Sequence, residues 1–440
     1  MSLAERLAER YFGASGGELA IGGVPISRIA EEYGTPLFVY DASVLKTKWS
    51  NLRRTLPERV EIYYSVKANP TSAIVKTFLT LGCGLEIASG GELYQALASG
   101  CPADHIVFAG PGKKDAEIRE FLAAGGGEIH VESLNEARRL VAVCDALGKE
   151  ARAAVRINPS SEVQGGAMRM GGKSAPFGVD EEMMDGVVDA LQESPRVRVT
   201  GVHIFAGTQI LDAGVLGAQY RKCTDLARTV AKKLKGPLET VDFGGGLGIP
   251  YFEGDQELDL DAYGREVHDL LASLDGKTFA ATRFIVEPGR YLAGDAGIYV
   301  TRVLDVKSSR GKTYAVLDGG MNHHLAASGN LGQVIKRNFP VVVLNRLGEP
   351  RKETVDVVGP LCTPLDVLAR SVELPPVRVG DLVGVLQSGA YARSASPMGF
   401  LSHPTPPEVL VSDGNHNMIR RRGTYRDLFG ERSESLRGHP

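Results

Sequence analysis

Glu61-Ile62-Tyr63-Tyr64-Ser65-Val66-Lys67-Ala68-Asn69-Pro70 reads as a short strand with a lysine at its mouth. The run from Glu61 to Val66 has the β-branched and aromatic content of a strand, and Asn69-Pro70 stops it. An amine at the end of a strand can reach into a pocket. Desolvation there disfavours the ammonium form and favours attack on an aldehyde to give a Schiff base. Alone, Lys67 is as readily a surface lysine, so the rest of the chain decides.

Seven further runs of the same kind follow: Gly84–Ala88, His105–Ala109, Glu128–Glu132, Arg152–Asn158, Val199–Ala206, Thr240–Phe243 and Arg283–Glu287. Between them the pattern turns helical, as in Glu92-Leu93-Tyr94-Gln95-Ala96-Leu97-Ala98 and Asn135-Glu136-Ala137-Arg138-Arg139-Leu140-Val141. The early strands recur about every 20–25 residues, the length of one strand, one helix and two short loops. Eight β/α units in series predict a (β/α)8 TIM barrel, with a doubly wound open sheet as the competing arrangement. The count of eight favours the barrel. So do the polar or glycine-rich stretches after nearly every strand, which a barrel gathers in one ring on its C-terminal face.

Past residue 290 the pattern changes to strands and turns, as in Ile298–Leu304, Thr313–Leu317 and Pro340–Leu344. The expected organisation is an N-terminal segment (1–40) joining a mostly β domain, a barrel (41–290), the C-terminal β domain (291–425) and a flexible tail (426–440). The early run Leu37-Phe38-Val39-Tyr40 belongs to the β domain or to the junction.

At 440 residues, two domains are the natural expectation. A hydrophobic content of 43% and a formal charge of -3 fit a soluble globular chain with no pull toward nucleic acid or anionic membrane. No apolar run is long enough to span a bilayer, and Met1-Ser2-Leu3-Ala4-Glu5-Arg6 lacks the apolar core of a signal peptide. Cys83, Cys101, Cys144, Cys223 and Cys362 are scattered and form no Cys-x-x-Cys pair. They suit reduced thiols in the cytoplasm; neither a disulfide frame nor a metal site is expected.

The strand ends carry the chemistry. Asp242-Phe243-Gly244-Gly245-Gly246-Leu247-Gly248 follows the seventh strand. Bare N–H groups in such a loop can cradle a phosphate, and barrel phosphate sites often follow strands seven and eight. Ile249 stands where a Rossmann fingerprint needs its third glycine, and no Gly-Lys-Ser/Thr exists for a Walker loop. Glu287-Pro288-Gly289-Arg290 ends the eighth strand. Its carboxylate can hold a pyridine nitrogen protonated, and its guanidinium can clamp a carboxylate or phosphate. In Val202-His203-Ile204-Phe205-Ala206-Gly207-Thr208, alternation puts His203 and Phe205 on one face, where an aromatic ring can stack on a flat cofactor. An amine, a phosphate loop, a carboxylate and an aromatic on one rim match the needs of pyridoxal 5'-phosphate.

At this point the chain resembles the fold-type III pyridoxal-phosphate decarboxylases, the group that holds diaminopimelate, ornithine and biosynthetic arginine decarboxylases. The resemblance spans roughly residues 30–415. It rests on Tyr64-Ser65-Val66-Lys67-Ala68-Asn69, Ala88-Ser89-Gly90-Gly91-Glu92, Val155-Arg156-Ile157-Asn158-Pro159, Gly244-Gly245-Gly246, Glu287-Pro288-Gly289-Arg290, Cys362 and Gly389-Ala390-Tyr391. It implies a barrel plus β domain like that of alanine racemase, assembled as a homodimer whose shared sites each take a Cys362-type loop from the partner. It implies that Lys67 carries the cofactor as an internal aldimine and that Glu287 pairs with the pyridinium nitrogen. Gly245, Gly246, Gly289, Arg290, Thr208 and Tyr391 would hold the phosphate. Racemases of this barrel type place an arginine at the ring nitrogen, so Glu287 favours decarboxylation. Lys67, Glu287 and Cys362 are thus the catalytic candidates.

Three departures bear on the substrate. The family's sixth strand usually ends His-x-Gly-Ser with the histidine stacked on the ring; here the aligned residues are Phe205-Ala206-Gly207-Thr208, so Phe205 is expected under the ring. Thr363 replaces the acid that often follows the family cysteine and holds a distal ammonium. The Pro-x-Leu-Tyr segment of diaminopimelate decarboxylases is replaced by His323-His324-Leu325-Ala326-Ala327-Ser328-Gly329-Asn330. This segment and Pro360-Leu361-Cys362-Thr363-Pro364-Leu365-Asp366 look more like the subgroup of the butirosin-pathway glutamyl-carrier-protein and exosortase-associated decarboxylases. The resemblance implies decarboxylation of an L-amino-acid moiety: an aminoacyl thioester on a carrier protein, or a modified amino acid. Arg290, His203, Thr363, His323 and His324 are the candidate substrate contacts, with Lys336 and Arg337 as nearby cations. The competing readings are an ordinary diaminopimelate decarboxylase making L-lysine, and a cofactor-binding regulatory protein without decarboxylase activity. The β domain and Cys362 argue against the regulatory reading.

Overall fold

Eight parallel strands close on themselves in the computed structural model, which describes residues 1–160, 168–169, 174–205, 207–333 and 335–429. In chain order the barrel strands are Val60–Ser65, Gly84–Ile87, Ile106–Phe108, Glu128–Val131, Ala151–Asn158, Val197–His203, Thr240–Asp242 and Arg283–Val286. Each pairs in parallel with its neighbours. The eighth returns to the first through Ile285 against Glu61, so no edge is left open.

Helices follow the strands where the sequence turned from β-branched runs to helical spacing, among them Gly90–Ala98, Leu134–Leu147, Ala213–Leu234 and Leu260–Ser273. Their starts are fixed locally. The side chains of Ser89, Ser133, Asp212 and Asp259 accept N–H groups of the first turn, each cap contributing about 1 kcal/mol.

The sixth strand differs from expectation. It stops at His203, opposite Asp242 of the seventh strand, and the Ile204 N–H to the Asp242 carbonyl is the bond at that end of the pairing. Phe205, which alternation placed on the strand, lies beyond its end.

The chain divides into two units. Residues Lys46–Ile249 and Gln256–Leu292 form the barrel unit; Met1–Leu45, Pro250–Asp255 and Ala293–Pro440 form the other. The β unit is built on a sheet ordered Val367–Leu374, Glu353–Val358, Lys312–Leu317, Gly297–Ser309, Leu37–Asp41, Glu408–Ser412, Asn415–Arg420. The long strand Gly297–Ser309 also pairs with Leu382–Val385. Leu37–Asp41 joins this sheet antiparallel to Gly297–Val300, which accounts for its fully buried apolar run. The helices Leu3–Tyr11 and Ile26–Tyr33 bury their apolar faces in the same core, with Leu7, Ile29, Val39, Ile298, Val300 and Val409. Tyr425–Phe429 form a 3-10 turn; the rest of the expected tail, 430–440, lies outside the described residues. Among the described residues no helix is long and apolar enough to cross a membrane.

Candidate active site

The first strand runs into a single 3-10 turn, Val66–Ala68, that presents Lys67. The turn is pinned from within: Tyr64 Oη donates to the carbonyl of Asn69 at 3.0 Å, and Thr71 N–H donates to Asn69 Oδ1 at 3.2 Å. Lys67 Nζ donates to both carboxylate oxygens of Glu86, at 2.8 and 2.7 Å, while Ser65 Oγ donates to Glu86 Oε2 at 2.5 Å. Glu86 is buried on the second strand. Its charge and, more strongly, burial push the nearby Glu92 up to about 7. Sequence reasoning missed Glu86; the signal was a lone acid inside the apolar run Gly84-Leu85-Glu86-Ile87.

The end of the eighth strand packs against this turn. A Cβ on Gly289 would meet the Cβ atoms of Ala68 and Ser65 at 2.8 and 3.0 Å, so only glycine lets Glu287-Pro288-Gly289-Arg290 approach so closely. The glycine loop lies alongside: Glu287 N–H donates to the carbonyl of Gly244 at 2.8 Å, and a Cβ on Gly245 would sit 2.6 Å from the Glu287 carbonyl oxygen. Phe205 is half-buried with its ring edge against Gly244 and Gly245, and Thr208 is half-buried nearby in the chain. Among the described residues, no acceptor takes the N–H of Gly245 or of Gly246.

Below Glu287, side chains from strands that are not neighbours meet, which places them in the barrel interior. His130 of the fourth strand and His203 of the sixth stack with ring centroids 4.5 Å apart. His203 Nε2 lies 3.5 Å from Glu287 Oε2; His130 Nε2 lies 3.5 Å from Glu128 Oε1 and 3.8 Å from Asp242 Oδ2. Burial drives His203 down to about 4, so its ring is neutral at pH 7. Asp242 is driven well above the carboxylate range by burial and by the facing Glu287. Burial pushes Glu287 up as well, but His203, His130 and Lys67 outweigh it and hold the group below its ordinary range. His203, expected to touch substrate, is instead 1% exposed and turned to Glu287, because the strand ends there and its side chain points inward. His130, Asp242 and Glu128 were not anticipated.

In the β unit, Cys362 is exposed and Thr363 half-buried on the turn 359–366. Asp366 anchors that turn: its Oδ1 accepts Met321 N–H at 2.6 Å and its Oδ2 accepts Leu361 N–H at 2.9 Å. Tyr391 is half-buried, with φ +53. His323 and His324 correct the expectation of substrate contacts. They lie in the unit's interior, where His323 Nδ1 meets Tyr299 Oη at 3.1 Å and His324 Nε2 meets Ser388 Oγ at 2.9 Å. Burial drives both down to about 3 and keeps them neutral. Lys336 Nζ donates to Asn330 Oδ1 at 2.6 Å, and the Arg337 guanidinium lies 3.7 Å over the Phe252 ring and 3.8 Å from Asp255.

The residues of the barrel rim fit pyridoxal phosphate. A lysine amine stands beside a loop with two unclaimed N–H donors, and the buried Oε1 of Glu287 has no donor among the described residues.

Comparison with known proteins agrees. Residues 42–294 match the model of the pyridoxal binding domain of pyridoxal-dependent decarboxylases. The chain is 38% identical to the L-glutamyl-[BtrI acyl-carrier protein] decarboxylase of Niallia circulans, over 92% of this chain and 95% of that protein. It is 33% identical to the diaminopimelate decarboxylase of Aquifex aeolicus, over 93% and 94% of the two chains. The crystal structure of diaminopimelate decarboxylase from M. jannaschii in complex with L-lysine superposes with a TM-score of 0.89 at 28% identity, over 97% of this chain and 98% of that one.

Proposed function

The chain belongs to the pyridoxal-dependent decarboxylase family, and from that premise we propose that its substrate is an amino acyl group carried through its side-chain carboxyl as a thioester on an acyl-carrier protein. The enzyme is a carboxy-lyase acting on an amino-acid moiety with pyridoxal phosphate as cofactor. Such a reaction needs the α-amine and the α-carboxylate free, so only the distal carboxyl is left for attachment to a carrier.

One observation carries this reading. The turn 359–366 contains a single acid, Asp366, and both of its oxygens are taken by backbone N–H groups. Thr363 offers a hydroxyl and no charge, and Pro364 stiffens the turn. A free distal ammonium would find no carboxylate there, and leaving it buried and unpaired would cost about 3–5 kcal/mol. A thioester carries no such charge. The Niallia circulans relative, named for a glutamyl group on a carrier protein, supports the same choice.

The cofactor supplies an electron-withdrawing ring for the electrons left when carbon dioxide departs. In this reading Lys67 binds its aldehyde carbon, and Glu287 holds the ring nitrogen protonated. Gly245, Gly246, Gly289, Arg290, Thr208 and Tyr391 hold its phosphate, and Phe205 supports the ring. Cys362 is exposed, and we place it in the site of a second copy of the chain, where it protonates or orients the substrate. Lys336 and Arg337 are cations for the phosphopantetheine phosphate.

Mass detection of carbon dioxide loss across free amino acids and acylated carrier proteins tests the proposal. A carrier-bound glutamyl group is expected to react well, and diaminopimelate and ornithine poorly. Conversion of diaminopimelate to lysine at the greater efficiency would overturn it.

A further inference from the structure

The edge strand of the β unit's sheet, Val367–Leu374, bulges at one point. Val372 pairs with Val355 and Ala369 with Val357, so Arg370 and Ser371 together oppose Asp356. The bulge is held from both sides. Ser371 takes a left-handed φ of +48 and donates its N–H to Asp356 Oδ1 at 2.6 Å. Arg370 N–H donates to Asn338 Oδ1 at 2.9 Å, and Asn338 Nδ2 donates back to the Arg370 carbonyl at 2.7 Å. A bulge on an edge strand re-aims a side chain. Here that side chain is Arg370, exposed, with no acceptor for its guanidinium among the described residues.

Arg370 lines a pocket of about 370 Å³ together with Lys312, Tyr314, Thr363 and Pro364, so it borders the turn that carries Cys362. Through Asn338 it is tied to the segment that carries Lys336 and Arg337. Asn330 ties the same segment to the turn: it accepts from Lys336 Nζ at 2.6 Å and donates to the Leu365 carbonyl at 3.2 Å. Lys312, Lys336, Arg337 and Arg370 are all exposed. The acids near them are withdrawn. Asp356 lies 3.7 Å from Lys312 Nζ with its side chain 8% exposed, Asp255 lies 3.8 Å from Arg337 and is 17% exposed, and Asp366 is bonded within the turn. The segment 326–338 contains no acid, and Leu331, Ile335 and Leu365 add exposed apolar side chains on that segment and the turn. A chain of net charge -3 thus presents cations above buried acids at this place.

We propose that this face of the β unit docks an acidic carrier protein, with Arg370 and Lys312 meeting carboxylates on the carrier's surface beside the turn that carries Thr363. The proposal rests on the reading that the substrate is carrier-bound, and it names the surface that recognises the carrier. Both backbone groups of Arg370 are taken by Asn338, so a partner cannot add a strand there. Recognition falls to side-chain charge, which acts chiefly on the rate of encounter. Nucleic acid would also meet cations, but only a partner that brings the substrate has reason to sit beside the Cys362–Thr363 turn.

The test measures kcat/KM of the holoenzyme on two forms of one substrate: a glutamyl group loaded on an acyl-carrier protein, and the same group on free pantetheine, which has neither protein nor phosphate. Their ratio isolates what the carrier contributes. In Arg370→Glu and, separately, Lys312→Glu the ratio is expected to fall by about 5- to 20-fold, because reversing a rim charge turns attraction into repulsion of similar size. Arg370→Lys, which keeps the charge, should stay within about twofold of wild type. The loss should appear in KM with kcat kept, and added salt should lower the wild-type ratio more steeply than that of Arg370→Glu. The two reversals sit on different strands, Lys312–Leu317 and Val367–Leu374, so misfolding of one leaves the other as the test. The inference is overturned if neither reversal moves the ratio, if Arg370→Lys lowers it as far as Arg370→Glu, or if the wild-type ratio does not respond to salt. If wild type decarboxylates the pantetheine thioester and gains nothing from the carrier, the docking face fails while the thioester substrate stands. If it decarboxylates neither form, the substrate reading fails and the docking face falls with it.

Discussion

Lys67 Nζ is held between the two oxygens of Glu86, 2.8 and 2.7 Å away, and Ser65 Oγ fixes that carboxylate from the last residue of the strand that leads into the lysine's turn. The pair aims a side chain that is otherwise 42% exposed. Glu86→Ala is expected to leave Lys67 able to react but poorly placed. Capture of pyridoxal phosphate by cofactor-free protein should slow by about tenfold, equivalent to ~1.4 kcal/mol and within the range of one charged hydrogen bond. Following the absorbance of the bound cofactor during reconstitution checks this. Borohydride should fix the cofactor to the Lys67 peptide in both proteins, and a label on another lysine refutes the assignment.

Glu287→Gln should separate binding from chemistry. The amide keeps the shape of the site but cannot hold the ring nitrogen protonated. Cofactor affinity should stay within about tenfold, whereas kcat should fall by about 10²–10³, the cost of losing one preorganised electrostatic contact. Near-normal kcat in this variant refutes the role.

The barrel was legible because each strand announces itself as a short β-branched or aromatic run between helical stretches. The position of Lys67, Gly245 and Glu287 at strand ends followed from that count alone. The interior polar cluster was not legible. Glu86 and Asp242 are lone acids among apolar neighbours, and His130 alternates with Glu128 and Glu132; Glu86 finds its partners on the adjacent first strand and its turn, whereas His130 meets His203 and Asp242 only when non-neighbouring strands meet across the closed barrel. His323 and His324 misled for a different reason. The resemblance of the 323–330 segment to a decarboxylase subgroup marks them as substrate contacts, yet they pack inside the β unit, against Tyr299 and Ser388. No local pattern announces that Asp366 reaches back to Met321.

Those two histidines set an acid limit. Burial lowers both to about 3 from the ordinary 6.5, so the folded state binds fewer protons than the unfolded one as pH falls. Their contribution to stability is complete above about pH 6.5 and is lost progressively down to about pH 3. The melting temperature should fall through that window. His324→Gln, which stays neutral, should show a shallower fall, and a parallel curve for variant and wild type refutes the assignment.

Cys362 is expected to act in the site of a second chain. Lys67→Ala and Cys362→Ala proteins, each nearly inactive alone, should regain activity when mixed under conditions that exchange subunits, because a mixed pair assembles an unmutated site. The maximum regained is about a quarter of wild type, since half the pairs are mixed and each holds one intact site of two. No recovery, with exchange confirmed by native mass spectrometry, refutes a shared site.

The distal specificity of the site should be transferable through one residue. Thr363 follows Cys362 on a turn whose own acid, Asp366, is used by the N–H groups of Met321 and Leu361. Thr363→Asp adds a carboxylate at a half-buried position without disturbing those bonds. The new charge would pair with a distal ammonium, and it would crowd the thioester arm of the proposed substrate. The ratio of kcat/KM for ornithine to that for a carrier-bound glutamyl group should therefore rise by about 10–100-fold, which is ~1.4–2.7 kcal/mol of transition-state discrimination. Competition of the two substrates in one reaction, read by mass, gives that ratio directly. If wild type already prefers ornithine, or if the ratio does not move in Thr363→Asp, position 363 does not face the distal end and the absence of an acid there says nothing about the substrate.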